Sequence, residues 1–151
     1  MQRNVTAVAA SRGKLEVAVL AAAWAVAHDL GKLAWDVILF TSDEFGFLRL
    51  PAALATGSSI MPNKRNPDVF ELTRARAALL DGYLAQAVAL AGKLPGGYHR
   101  DLQLTKGTVM RGLDTAAEMT AMMATAVPLL GVDRERCAAA LSPEVFATDE
   151  A

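Results

Sequence analysis

The chain has 151 residues and a mass of 16.0 kDa, which is enough for one domain with a hydrophobic core. Lys and Arg total 15 and Asp and Glu total 16, so there is no basic excess to bind nucleic acid. Apolar residues make up 53% of the sequence, which excludes a disordered chain, and 30 alanines against 2 tyrosines favour helices over strands. The composition predicts an all-α protein.

The first long helix is predicted over residues 14–42, a stretch without proline. Asp29, Lys32 and Asp36 recur there at helical intervals. Residues 45–51 break the pattern, and the small, polar residues 56–66 predict a loop. The apolar face predicted for this helix consists of Leu20, Trp24, Ala27, Gly31, Trp35 and Ile38.

A second long helix is predicted to begin at Asn66 and to stop at Gly92. Asn66 is a suitable N-cap, Pro67 suits the first helical position, and Asp68 faces the positive end of the helix dipole.

A third helix is predicted from near Arg100 to residues 128–131, and Asp133 is predicted to cap a short fourth helix through Leu141. Met110, Met119, Met122 and Met123 are interpreted as bundle packing. The predicted buried face of the third helix consists of Met110, Leu113, Ala117, Ala121, Ala124 and Val127.

Three long helices with short connections predict an up-and-down bundle. Their faces carry more apolar residues than three helices can cover, so we expect association with other chains. We expect an N-terminal extension over residues 1–10 and part of a long-helix bundle domain over residues 11–131, with the loop 56–68 inside it. Residues 132–151 are expected to begin a truncated C-terminal region.

The cysteine content and the longest apolar run predict a cytoplasmic protein. Cys137 is the only cysteine, so no disulfide can form within the chain. The apolar run over residues 17–27 is shorter than the ~20 residues of a membrane helix, and residues 1–10 lack the apolar segment of a secretory signal. We therefore expect no membrane span.

The densest group of candidate functional side chains lies in residues 56–68. Gly57 is followed by two serines, and Lys64 and Asn66 stand just before a predicted helix N-terminus. These donors suit a carboxylate or a developing oxyanion, so we expect an anionic small-molecule ligand. A phosphate-binding loop is excluded because Asn63, not glycine, precedes the lysine. Taken alone, an ordinary connection rich in turn residues would have a similar composition.

This run resembles the signature of the fumarase/aspartase superfamily, whose members eliminate a group from a succinyl skeleton to give fumarate. Within that superfamily, this run and a second one downstream resemble the argininosuccinate lyase family, and the resemblance covers residues 11–149. It implies cleavage of argininosuccinate to arginine and fumarate without a metal or an organic cofactor. The matching residues include Gly57, Ser58, Ser59, Met61, Pro62, Lys64, Asn66, Pro67, Asp68, Glu71, Tyr98, Arg100, Asp101, Gln103 and Lys106.

The resemblance also implies a role for each matching site residue. Ser58 is the general base, and Lys64 stabilises both the serine alkoxide and the doubly charged aci-carboxylate intermediate. Asn66 hydrogen-bonds a substrate carboxylate. The other implied substrate-binding residues are Arg12, Ser59, Tyr98, Gln103 and Lys106.

Glu71 matches the carboxylate that orients and charges a histidine, which protonates the leaving nitrogen in the family. That histidine belongs to a motif in the N-terminal half of family members, and neither His28 nor His99 stands in such a motif. We expect His28 on a helix surface, and His99 to be a neutral substitution within the substrate-binding run.

Family members are longer, with segments before and after the region matched here. The resemblance therefore implies an internal portion of a lyase, which is a homotetramer in its full-length form. Family active sites combine several subunits, so one chain of this type cannot form a complete site.

Two alternatives stay open. A sibling lyase would act on adenylosuccinate, aspartate or malate, and the run from Tyr98 to Lys106 argues against it. A catalytically silent helical subunit would serve as a structural protein or complete a partner's site, and the intact Ser58, Lys64 and Glu71 argue against that role.

Overall fold

Three long helices form the body of the protein. The computed structural model describes residues 5–57, 59–61 and 65–142. The long helices are α2 (Lys14–Phe40), α3 (Asp68–Ala91) and α4 (Thr105–Ala126), and two short helices, α1 (Val5–Ala10) and α5 (Arg134–Ala139), flank them. The prediction of an all-α, long-helix bundle is confirmed.

The three long helices run up, down and up. Gly13 lies against Ala91, whereas Val37 at the other end of α2 packs with Phe70 and Met123. In the middle, Ala27, Leu80 and Met119 form a second buried cluster. The residue numbers therefore rise along α2 and α4 while they fall along α3. We call the end that holds Gly13 and Ala91 the Tyr98 end, and the end that holds Phe70 the Glu71 end.

Two pairs of very short strands join the connections at the Glu71 end. β1 (Leu48–Arg49) pairs antiparallel with β4 (Gly131–Val132). β2 (Thr56–Gly57) pairs antiparallel with β3 (Arg65–Asn66), with Thr56 opposite Asn66. The segment predicted as a loop over residues 56–66 is therefore a β-hairpin at its base.

Each long helix buries a narrow stripe and leaves other apolar residues in solvent. The face predicted to be buried on α4 is wrong, because Met110 is 60% exposed and Leu113 is 39% exposed. On α2, Trp35 is 54% exposed, also against prediction. The stripe that α4 does bury consists of Thr105, Thr108, Gly112, Ala116, Met119, Met123 and Ala126.

The physical reason lies in hydrogen bonding and size. Thr105 donates its hydroxyl proton to the Leu102 carbonyl oxygen at 2.7 Å, and Thr108 donates to the side-chain carbonyl oxygen of Gln86. These hydroxyls can be buried because they are paired, and Gly112 allows Leu20 to approach closely. Apolar character alone therefore selected the wrong face.

Several helix ends differ from prediction. Asn66 does not cap α3, because its backbone pairs with Thr56 in the hairpin; Pro67 is the N-cap residue, and the helix begins at Asp68. Residues Arg100–Leu104 form a 3₁₀ helix, which delays the start of α4 to Thr105. The Asp133 cap is confirmed, since its carboxylate accepts the Arg136 backbone N–H at 3.1 Å, although α5 ends at Ala139.

α2 is long and apolar enough to cross a membrane by length and composition, a property that core helices of soluble proteins share. Its buried residues are Leu20, Ala27, Gly31, Ala34 and Val37. They form the seam with α3 and α4, which accounts for part of this apolar character.

Candidate functional site

The predicted site residues fall into two groups at opposite ends of the bundle. Asn66 and Glu71 lie at the Glu71 end, where α3 begins. Tyr98, Gln103 and Lys106 lie at the other end, around the start of α4, and Arg12 precedes α2 there. The 24 residues of α3 separate the two groups by about 36 Å, at the usual rise of an α-helix. The two groups therefore cannot meet within one copy of the chain.

The hairpin carries the predicted catalytic segment at the Glu71 end. Thr56 and Gly57 pair with Asn66 and Arg65, and Asn66 is half-buried. Ser59 follows β2 and is exposed. Ser58 and Lys64 lie between the two strands in the chain and are outside the described residues. The structure thus locates the base of the predicted catalytic segment.

An open cleft of about 890 Å³ lies beside the hairpin. Glu71, in the first turn of α3, lines this cleft and is exposed. The other charged residues that line it are Asp43, Arg49, Arg65, Asp133 and Arg136. The cleft presents three guanidinium groups and three carboxylates, so it suits a ligand or a protein segment that carries charge.

Arg49, Asp133 and Arg136, which we call the clamp, form hydrogen bonds along one wall of the cleft. The Arg49 guanidinium donates to the Asp133 carboxylate at 2.7 Å, and the Arg136 guanidinium donates to the carbonyl oxygens of Asp43 and Phe45 at 3.3 and 3.4 Å. The hydrogen bond from Arg49, together with the one from the Arg136 backbone, lowers the pKa of Asp133. The clamp ties the start of α5 to the turn that follows α2.

Gly46 makes this clamp possible. Its φ of +60° is in the left-handed region, which favours glycine. A Cβ atom at this position would lie 1.9 Å from Nη1 of Arg136. The guanidinium of Arg136 thus occupies the space that a side chain at position 46 would need.

At the Tyr98 end, three predicted substrate-binding residues come together. The guanidinium carbon of Arg12 lies 4.6 Å from the centroid of the Tyr98 ring, and the Gln103 amide donates to the Tyr98 hydroxyl at 3.2 Å. Tyr98 is 60% exposed. Lys106, in the first turn of α4, is exposed at the same end. This surface combines two cations with hydrogen-bonding groups, a composition suited to carboxylates.

Neither histidine of the chain lies beside Glu71. His28, in the middle of α2, is exposed and stacks on Trp24 with ring centroids 5.2 Å apart, so its predicted surface location is confirmed. His99 lies at the Tyr98 end, and its Nε2 atom is buried without a hydrogen-bond partner. Glu71 therefore has no histidine partner in this chain.

Sequence reasoning missed two features of the Glu71 end. It did not find the three arginines of the cleft, because positions 49, 65 and 136 are far apart in the chain and share no spacing pattern. It also did not find the hydrogen bond from the Thr56 hydroxyl to the Asp68 carboxylate. The signal available for that bond was the position of the two residues, since Thr56 directly precedes the signature run and Asp68 ends it.

Comparison with known proteins identifies the family of the chain. A family model described as lyase matches residues 2–82 of the chain. An argininosuccinate lyase from Sorangium cellulosum is 53% identical over 148 residues, which are 98% of this chain and 34% of that protein. An argininosuccinate lyase from Xylella fastidiosa (strain Temecula1 / ATCC 700964) is 42% identical over 151 residues, again 34% of that protein. The chain spans about a third of the length of these curated relatives.

A solved structure shares the fold. A protein described as fumarate lyase:delta crystallin from Brucella melitensis superposes with a TM-score of 0.79 and 24% sequence identity. The superposition covers 91% of this chain and 32% of that one. The family match spans more than half of the chain and includes α2, the hairpin and the start of α3. The chain belongs to this lyase family.

Proposed function

We propose that this chain is the part of an argininosuccinate lyase that carries the catalytic serine, and that the whole protein cleaves argininosuccinate to arginine and fumarate. The observation that carries the proposal is the signature run from Gly57 to Asp68, which spans the hairpin beside Glu71. The 53% identity to a relative named argininosuccinate lyase supports this substrate over those of sibling lyases.

In the proposed reaction, Ser58 removes a proton from the carbon next to a substrate carboxylate. The negative charge passes to that carboxylate, and Lys64 stabilises the resulting dianion while Asn66 hydrogen-bonds the substrate. The bond from the neighbouring carbon to nitrogen then breaks, a carbon–carbon double bond forms, and the leaving nitrogen accepts a proton. Glu71 orients the histidine that donates this proton. No metal or organic cofactor takes part in the proposed steps.

The complete site is proposed to form between chains. The Glu71 end and the Tyr98 end of one copy are about 36 Å apart, so they belong to different sites. Exposed apolar residues such as Met110, Leu113 and Leu79 provide surfaces that further helices can cover. We propose that the full-length protein is a cytoplasmic homotetramer that binds neither nucleic acid nor a membrane, and whose histidine acid comes from a segment outside this chain.

A chimeric enzyme tests this function. The matched 148-residue segment of the Sorangium cellulosum argininosuccinate lyase is replaced by this chain, and fumarate release from argininosuccinate is followed by absorbance. We expect the chimera to release fumarate. Ser58→Ala should reduce kcat by about a thousandfold or more, because it removes the general base that accepts the substrate proton. The isolated chain, assayed in parallel, is expected to be inactive.

Ser142→Ala, at an exposed position near the end of the described chain, is the matched control and should retain activity. A chimera that assembles like its parent but releases no fumarate would contradict the proposal and favour the catalytically silent subunit. Release of fumarate from adenylosuccinate, aspartate or malate instead would favour a sibling lyase.

A further inference from the structure

One side-chain hydrogen bond joins the base of the hairpin to the start of α3. The Thr56 hydroxyl in β2 donates to the carboxylate of Asp68, the first residue of α3. Both residues lie among the described ones, 12 positions apart in the chain. The bond therefore joins the residue before the signature run to the last residue of that run.

The two residues of this bond lie close in the chain to two proposed catalytic residues. Thr56 stands two residues before Ser58, and Asp68 stands three residues before Glu71. Residues three apart in a helix lie on the same face, so Asp68 and Glu71 share one side of the first turn. The bond connects the strand that leads into Ser58 with the helical turn that holds Glu71.

In the part of the hairpin that the structure describes, the backbone pairing is short. Among the described residues, the ladder between β2 and β3 has two residue pairs, and an isolated two-stranded hairpin is marginally stable in water. Thr56 is exposed and adds nothing to the buried core. Loss of its hydroxyl should therefore leave the bundle folded while it allows the base of the hairpin to shift relative to α3.

We propose that Thr56 and Asp68 are positioning residues, which fix the strand leading into Ser58 against the helix that carries Glu71. The inference rests on the proposed function for its kinetic consequence. Displacement of about 1 Å in a reacting group costs up to about a hundredfold in rate. As positioning residues, Thr56 and Asp68 act through the backbone of their elements and do not touch the reacting atoms.

Kinetic comparison of Thr56→Val and Thr56→Ser in the chimera described above tests the proposal. Valine keeps the shape of threonine without the donor, whereas serine keeps the donor. We expect Thr56→Val to lower kcat by about 10- to 100-fold with KM changed less than about threefold, and Thr56→Ser to stay within about threefold of the parent. The matched control is Thr125→Val, an exposed threonine whose hydroxyl donates within α4 to the Ala121 carbonyl oxygen at 2.9 Å.

Substitutions of Asp68 provide the second half of the test. Asp68→Asn keeps an acceptor oxygen and is expected to retain most of kcat, whereas Asp68→Ala removes it and should resemble Thr56→Val. The double variant Thr56→Val/Asp68→Ala should be no slower than the slower single variant, because both changes remove the same bond. Additive losses in the double variant would overturn the proposal.

Hydrogen exchange separates this inference from the proposed function. Thr56→Val should speed the exchange of the backbone amides of residues 55–57, 65 and 66 several-fold, and Thr125→Val should leave them unchanged. Unchanged exchange in Thr56→Val overturns the inference whether or not the chimera is active. Faster exchange in Thr56→Val with an unchanged kcat also overturns the inference. If Thr56→Val exchanges faster but the parent chimera is inactive, only the proposed function is overturned.

Discussion

Gly112 and Gly82 are both glycines inside long helices, yet their surroundings are opposite. A Cβ atom at Gly112 would lie 2.4 Å from Cδ2 of Leu20, which is fully buried, so the Leu20 side chain would have to shift. Gly82 is exposed, and a Cβ atom there would meet nothing within 4 Å. The two positions form a matched pair for testing how closely α2 and α4 approach.

We expect Gly112→Ala to destabilise the fold by up to about 2 kcal/mol, because overpacking costs about 1–3 kcal/mol and the gain in helix propensity is about 1 kcal/mol. Gly82→Ala should raise the free energy of unfolding by about 0.5–1 kcal/mol. Urea unfolding followed by circular dichroism measures both changes. Two shifts of the same sign would show that α2 and α4 do not approach as closely as the structure indicates.

At the scale of elements, the ion pair that links Arg49 in β1 to Asp133 at the start of α5 depends on the charge of Asp133. Its pKa is lower in the folded protein than in the unfolded chain, because the carboxylate accepts hydrogen bonds from Arg49 and from the Arg136 backbone. A group of this kind stabilises the fold above its unfolded pKa and loses that contribution as the pH falls through its folded pKa. The Arg49–Asp133 pair should therefore be intact at neutral pH and loosen in acid.

Hydrogen exchange of the amides in β1 and β4, corrected for its intrinsic pH dependence, should show this loosening. We expect protection to fall as the pH drops below the ordinary range of an aspartate, and Asp133→Asn to reduce it already at neutral pH. Asp29→Asn, on the exposed surface of α2, is the control that should keep the parental profile. An Asp133→Asn protein with the parental pH profile would show that the pair does not hold the strands.

The elements differ in how well the sequence predicted them. α2 and α3 followed from apolar periodicity, and Gly92 ends α3 as predicted although Asn66 does not cap it; the motif from Gly57 to Asp68 identified the proposed catalytic segment. Periodicity failed on α4, because paired threonines and Gly112 make its less apolar side the buried one. The hairpin escaped prediction because two-residue strands leave no alternating pattern. The separation of Tyr98 from Glu71 was not predicted, because it depends on the directions in which the helices run and sequence motifs carry no information about these directions.

At the scale of the whole molecule, the separation of the two ends predicts how defective copies behave together. We expect a Ser58→Ala chimera and a Lys106→Ala chimera each to lose most activity, because each variant has a defective residue at one of the two ends that form every site. Mixed and reassembled, they should regain activity in up to about a quarter of the sites, where intact ends of different copies meet. Fumarate release before and after mixing is the measurement.

In the matching control, a Ser58→Ala chimera is mixed with a Glu71→Gln chimera, so that both changes lie at the same end of the bundle. Every site would then contain one defective residue, so mixing should restore nothing. Equal recovery in both mixtures would show that the two ends do not serve separate sites.

The exposed apolar side of α4 has a consequence for the life of a newly made copy. Met110, Leu113 and Met122 stay in contact with water when the three helices have already closed on one another. A copy in this state is folded but aggregation-prone, and it remains so until another protein surface covers these side chains. The interval between folding and coverage shortens as copies become more abundant, so dilute protein should be lost to aggregation and proteolysis in greater proportion than concentrated protein.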